Sequence, residues 1–509
     1  MNVPLTPLDF LERARRLYGE LLGVTDGNRR LCYREYASRC HRLAHALRSD
    51  LGIKPGQRVA YLCGNTLELL EAYYGVVMAG AILVPLNVRL GPAEMQDILR
   101  DCHASILFVH PSFAEAAEDL LPRRRLDLDS GYEEMLASQP DALFEPDPFG
   151  EDDVCEIFYT SGTTSTPKGA MLTHRALATH AVDSALTLGL THRDVILHTI
   201  ALFHVNGWGT PHYVTALGAR HVLIEKFDAA EVLRLVEQEG VTRLSLVPTM
   251  AAAIAVHPDV KRRDTSSLVQ VTLGGAASPP DLLRELEDLF GCEVMCGYGL
   301  TEASPQLTKA VTLRSHDELP VEERRLRNAT TGLPNVGVDL RVFDDDDVEV
   351  AWDGHQVGEI CVRSNHVMAG YWKKPEESDA ALRGGWLRTG DLATVDAEGY
   401  VTIVDRKKDI IISGGENVSS VQVESVLAAH PAVYEVAVVG MADERWGEVP
   451  RAFVSLRPGA GPVTERELIK FVRDRLAHFK APKRVDFLPD LPKGGTGKIL
   501  KAELRKQEL

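Results

Sequence analysis

The chain has 509 residues, of which 45% are hydrophobic and 25% charged, and its formal net charge is −17. That length exceeds one ordinary core, so two or more domains are expected, and the acidic balance excludes a general nucleic-acid-binding role. No apolar run is long enough to span a bilayer, the N-terminal residues 1–7 do not resemble a signal peptide, and the eight cysteines are scattered, so a reduced cytoplasmic setting is expected.

Strand-like and helix-like runs alternate along most of the chain, the pattern of an α/β protein. Arg58–Leu62 reads as a strand, and the next segment sets Leu67, Leu70, Tyr74, Val77 and Met78 at helical spacing on one apolar face. Residues 106–109 form a further strand. The stretch 111–153 is rich in Asp, Glu and Pro and carries Arg123-Arg124-Arg125, so it reads as a surface excursion. A strand follows at 154–158, and a helix is expected from Arg175 onward.

Between that strand and that helix lies Tyr159-Thr160-Ser161-Gly162-Thr163-Thr164-Ser165-Thr166-Pro167-Lys168-Gly169. Small hydroxyl residues and glycine let N–H and O–H donors converge on phosphate oxygens, and Lys168 adds a mobile positive charge. A Ser/Thr/Gly surface linker is the bland alternative, but linkers rarely join a buried strand to a helix. The run is not a Walker A loop, because Gly169-Ala170 follows Lys168 where Ser or Thr is needed. Gly497-Lys498-Ile499 fails too, with Pro492 in place of the first glycine and Ile499 in place of the hydroxyl.

Further strands are expected at 195–197, 222–224 and 268–273, the last ending in Gly274-Gly275. Asp228-Ala229-Ala230-Glu231 has the form of a capping box opening a helix with Val232, Leu235 and Val236 inward. Asp344-Asp345-Asp346-Asp347 reads as a solvated turn, since four adjacent carboxylates cannot face one ion. Cys292 and Cys296 read as two buried thiols, with no further metal ligands nearby. The dense charge run Asp405-Arg406-Lys407-Lys408-Asp409 marks a boundary, giving domains at 1–404 and 405–509. Beyond it come a helix at 421–429, strands at 435–439 and 451–456, and a second capping box, Thr464-Glu465-Arg466-Glu467, ahead of Leu468, Ile469, Val472 and Leu476.

Five motifs now stand in order: 159–169, Gly297-Tyr298-Gly299-Leu300-Thr301-Glu302, Trp386-Leu387-Arg388-Thr389-Gly390-Asp391, 405–409 and Pro492-Lys493-Gly494-Gly495-Thr496-Gly497-Lys498. In order, spacing and content they resemble the adenylate-forming superfamily, which holds acyl-CoA synthetases, firefly luciferase and peptide-synthetase adenylation domains. The resemblance covers essentially the whole chain. It implies a large N-terminal domain of layered β-sheets with flanking helices, and a small, mobile α+β C-terminal domain. It also implies two half-reactions. A carboxylic acid and ATP give an acyl-adenylate and pyrophosphate; coenzyme A then displaces AMP.

On that resemblance, Thr160, Ser161, Gly162, Thr163, Thr164 and Lys168 hold the β- and γ-phosphates, and Thr301 the α-phosphate. Glu302 and Thr164 serve Mg²⁺, which favours one or two carboxylates plus phosphate oxygens. Tyr298 offers adenine a flat face, Gly275, Ala276 and Ala277 let the base approach backbone, and Asp391 and Arg406 take the ribose. Tyr298 as core filling and Asp391 as a turn cap are the plain alternatives. Lys498 is the expected catalytic cation, bridging the carboxylate and the α-phosphate. Lys408 is the expected hinge, bringing Gly414 and Gly415 to line a pantetheine channel.

The segment Phe203-His204-Val205-Asn206-Gly207-Trp208 resembles the acyl-binding segment of fatty acyl-CoA synthetases, which implies that His204, Asn206 and Trp208 bind substrate, with His204 on the carboxylate and Trp208 at the tunnel mouth. A helix start capped by Asn206 with a core Trp208 stays open as a reading. With Asn417-Val418-Ser419-Ser420, the segment favours a medium- or long-chain fatty acid. The alternatives are an acyl-AMP ligase or a CoA ligase for short-chain or aromatic acids. Ser165 departs from the glycine usual in the family, and Ala201 from proline. A homodimer and peripheral membrane contact stay open; no nucleic acid and no integral membrane segment are expected.

Overall fold

The computed structural model describes residues 3–507 apart from 123, 161–166, 415, 444, 458 and 494–498, and apart from the side chain of Ser130. The expected α/β architecture is present, with a large sheet-rich N-terminal part and a smaller C-terminal one.

Two large sheets carry the N-terminal part. One has nine strands in the order Leu333–Pro334, Gln306–Lys309, Glu293–Gly299, Gln270–Leu273, Arg243–Leu246, Val195–His198, Arg220–Leu223, Leu22–Asp26 and Arg29–Cys32. Its interior is parallel, and apolar runs such as Val271 and Leu273 are buried as helix-covered sheets require. The other has seven strands, Gly370–Tyr371, Lys168–Thr173, Val154–Thr160, Ile82–Pro85, Arg58–Leu62, Ala104–Val109 and Arg125–Asp127. The stretch expected as a surface excursion is therefore partly built into the sheet, through Arg125–Asp127 and the helix Ser130–Ala137.

The helix Leu67–Met78 is buried on every side, not on one face as its spacing suggested. Its Gly75 lets the helix Tyr33–Ser49 approach closely, since a Cβ there would stand 2.7 Å from Leu43 Cδ2. Burial takes in two glutamates. Glu71 pairs with Arg39 and accepts from Tyr132 at 2.7 Å, and Glu68 pairs with Arg29.

A four-stranded antiparallel sheet, Asp339–Phe343, Gly358–Arg363, Leu387–Val395 and Val401–Arg406, follows. The last sheet begins at Ile411–Ser413. It joins Glu416–Val418, Gly447–Leu456 and Val433–Asp443, with Arg484–Phe487 parallel on Gly447–Leu456. Val423, Leu427, Leu468 and Val472 from its two helices fill a core against Val438 and Val454. Both expected caps form: Asp228 accepts from the Glu231 N–H at 2.9 Å and Thr464 from the Glu467 N–H at 3.3 Å. Asp344 accepts from the N–H groups of Asp346 and Val348, the local turn expected of the acidic run.

Candidate active site

A strand not foreseen in the sequence separates the expected phosphate loop from the helix after it. Val154–Thr160 and Lys168–Thr173 form an antiparallel hairpin with Thr160 opposite Lys168, and the helix expected from Arg175 begins at His174. The helix N-terminus is thus displaced from the loop by a full strand. Thr160 and Lys168 frame the loop, whereas Ser161, Gly162, Thr163, Thr164 and Ser165 lie outside the described residues. Tyr159 anchors the hairpin by donating to Asp101 at 2.5 Å.

From Lys168 a chain of contacts leads to Glu302. The Lys168 ammonium lies 5.2 Å from the Tyr371 ring centroid, and the Tyr371 hydroxyl donates to Glu302 Oε1 at 2.8 Å. Burial, then the charge of Glu302, pushes the Tyr371 pKa up, so the phenol stays a donor. Gly370–Tyr371 is an edge strand on Lys168–Thr173, and Met368 N–H donates to the Glu302 carbonyl at 2.8 Å. Glu302 sits in the short turn Thr301–Ala303, where Thr301 is buried. Tyr371 was missed by sequence reasoning; only the aromatic pair Tyr371-Trp372 after Gly370 signalled it. Among the described residues no group of three or more His, Cys, Asp and Glu could hold a metal. Glu302 offers one carboxylate here, and Mg²⁺ favours one or two carboxylates plus phosphate oxygens.

A second chain joins the nine-stranded and four-stranded sheets. Tyr298 donates to Asp391 Oδ2 at 2.6 Å, and Arg406 Nε lies 3.5 Å from Asp391 Oδ1. Asp391 and Arg406 are register partners on Leu387–Val395 and Val401–Arg406. Burial, then the Asp391 charge, raises the Tyr298 pKa well above the ordinary value. Gly275 has φ +80 and, with Ala276 and Ala277, is exposed at the end of Gln270–Leu273. Residues 275–277 thus leave an exposed backbone edge, while Asp391 and Arg406 set a carboxylate against a guanidinium on the four-stranded sheet.

The segment expected to bind the acyl group departs from a helix start. Val205, Asn206, Gly207, Trp208 and Gly209 all have positive φ, from +37 to +84, a left-handed turn ahead of the right-handed helix that ends at Leu217. Such backbone costs about 1–2 kcal/mol per non-glycine residue and persists where the surroundings impose it. Asn206 is not a cap. It is fully buried and its Nδ2 donates to Glu156 Oε2 at 3.3 Å. Trp208 lies across the strand end: its Cη2 is 2.9 Å from where a Gly274 Cβ would stand, and Cζ2 is 3.7 Å from that of Gly275. His204 precedes the turn and is half-buried.

The remaining candidates lie elsewhere. Lys408 is exposed between Arg406, the last residue of its strand, and Asp409, which pairs with Arg505 at 2.6 Å. Gly414, at φ +62, sits at a hairpin tip against Trp446, where a Cβ would stand 2.6 Å from Trp446 Cε3. Gly415 and Lys498 lie outside the described residues.

Comparison with known proteins agrees with this geometry. The family described as AMP-binding enzyme matches residues 11–372, and its C-terminal domain family matches 422–498. A feruloyl-CoA synthase of Amycolatopsis sp is 40% identical over 496 residues, covering 97% of each chain. A peroxisomal butyrate–CoA ligase of Arabidopsis thaliana is 37% identical over 534 residues, covering 99% of this chain and 93% of the relative. The crystal structure of an anthranilate CoA ligase in complex with anthranoyl-AMP superposes with a TM-score of 0.90 at 30% identity, covering 99% of this chain and 97% of that one.

Proposed function

We propose, from the premise that this chain belongs to the AMP-binding enzyme family, that it is an AMP-forming acid–CoA ligase whose acid is aromatic or short-chain. It joins the acid to ATP as an acyl-adenylate, releasing pyrophosphate, and passes the acyl group to coenzyme A. The relatives named above act on aromatic or short acids, so their support goes to the alternative and away from a medium- or long-chain fatty acid.

The observation that carries the substrate class is the seat of Trp208, whose indole lies against Gly274 and Gly275. In this reading the ring narrows the acid pocket, which favours a planar or short acid over a long alkyl chain. In this reading Thr160, Lys168 and the intervening loop hold the terminal phosphates, and Thr301 the α-phosphate. Tyr298, Asp391 and Arg406 hold the nucleoside, and His204 the acid. Mg²⁺, when bound, neutralises charge on the transferring phosphates; Glu302, oriented by Tyr371, is its protein ligand, with Thr164 beside it. Lys498 supplies the bridging cation. The domain 405–509 turns about Lys408, exchanging Lys498 for the Gly414–Gly415 segment at the cleft.

The test is acid-dependent pyrophosphate release over ferulate, anthranilate, benzoate, butyrate, octanoate and palmitate, with AMP release followed with and without CoA. Pyrophosphate should appear with aromatic or short acids, and palmitate should fall at least about tenfold lower in kcat/KM. Palmitate leading the series overturns the substrate class. No acid-dependent release overturns the ligase reading.

A further inference from the structure

We infer that Glu156 is a positioning residue for the acid substrate, tying the left-handed turn 205–209 to the strand that leads into the phosphate loop. The inference rests on the proposed ligase reading and adds to it a residue outside every motif of the sequence.

Glu156 lies on Val154–Thr160 and its side chain is fully buried. Both of its carboxyl oxygens reach the acyl segment. Oε2 accepts from Asn206 Nδ2 at 3.3 Å, and Oε1 lies 2.9 Å from His212 Nε2. Asn206 and His212 are also fully buried. Burying three polar side chains is unfavourable unless they satisfy each other, and an aliphatic residue would fill the same volume without that cost. What the carboxyl group adds is orientation.

The turn is clamped on its flanks as well. The Tyr73 hydroxyl donates to the Leu202 carbonyl at 2.6 Å and the Tyr74 hydroxyl to the Pro211 carbonyl at 3.0 Å. Both rings stand edge-on to His212, with centroids at 5.6 and 5.8 Å. These contacts hold the ends of the segment, whereas Glu156 holds its middle through Asn206. Trp208 is two residues beyond Asn206, so the seat of the indole depends on this anchor.

Three variants test this: Glu156→Leu removes both contacts at similar volume. Asn206→Gly keeps the left-handed backbone easy but removes the amide. Glu156→Gln can keep both contacts, its oxygen accepting from Asn206 and its NH₂ donating to His212 in the other tautomer. Acid-dependent ATP–pyrophosphate exchange gives separate KM values for acid and ATP. Glu156→Leu and Asn206→Gly should raise the acid KM about tenfold or more with the ATP KM within about twofold, and Glu156→Gln should stay within about threefold of wild type in both. Equal rises in both KM values, or an unchanged acid KM in the Leu and Gly variants, overturn the inference. If Glu156→Leu does not fold, Asn206→Gly carries the same readout. Absence of exchange in the wild type falls on the ligase reading instead.

Discussion

Lys309 sits where a lysine is least at home. It closes the strand Gln306–Lys309 with 1% exposure, and its ammonium donates to the Thr272 hydroxyl. Burial pulls its pKa down from 10.5 to about 7. Between those values the unfolded chain binds more protons on this residue than the folded one, so its contribution to stability rises with pH across that window and is least favourable below pH 7. Lys309→Met, close in volume, is therefore expected to stabilise the fold by about 1–4 kcal/mol at pH 6, with the gain shrinking as pH rises toward 10. Urea unfolding at pH 6, 8 and 10 measures it, and a gain constant with pH would refute the burial account. Among single residues, Tyr298, Asp391 and Glu302 were singled out in the sequence because their neighbours form recognisable strings. Tyr371, Glu156 and His212 were not, because each gains its meaning from a partner 50 or more residues away.

Elements were legible where periodicity was strong and misread where a short run had two uses. Residues 168–173 alternate too weakly to announce a strand, although the helix after them was placed within one residue of its start. Pairing with Val154–Thr160 makes them a strand, and with Tyr159 opposite Gly169 the hairpin has little room between the two chains. A Cβ on Gly169 would stand 2.7 Å from Ile157 Cγ2 and 3.0 Å from Tyr159 Cζ. Gly169→Val is expected to cost about 1–3 kcal/mol of stability and, by displacing the loop mouth, to raise the KM for ATP about tenfold with less effect on the acid. Urea unfolding and pyrophosphate release at varied ATP check both parts. The left-handed turn 205–209 gave no sequence signal, since Val205 and Trp208 are poor candidates for positive φ. In the structure Asn206 meets Glu156, and the Tyr73 and Tyr74 hydroxyls meet the flanking carbonyls of Leu202 and Pro211.

At the scale of the molecule, the join between the last two sheets is narrow but wired. Asp405 accepts from the Ser420 N–H at 2.5 Å, the Ser419 hydroxyl donates to the Val404 carbonyl at 2.6 Å, and Lys407 pairs with Asp345 at 2.9 Å. Lys408, the proposed pivot, stands exposed beside these contacts. If the small domain alternates between two uses of one cleft, two substitutions should separate the half-reactions. Lys498→Ala should lower acyl-AMP formation about 10²–10³-fold and spare thioester formation from supplied acyl-AMP. Lys408→Pro, by fixing φ at the pivot, should hinder the thioester step more than adenylation. Single-turnover measurement of each step decides the matter; equal loss of both steps in either variant would refute the alternation.

The order of motifs along the chain was enough to point to the family and the α/β class, because phosphate and ribose chemistry demands particular side chains at short spacing. Only the tertiary structure decided that Trp208 comes to rest against Gly274 and that a carboxyl group from another sheet meets Asn206. No local spacing encodes such contacts, since they are made between segments brought together only when the sheets pack.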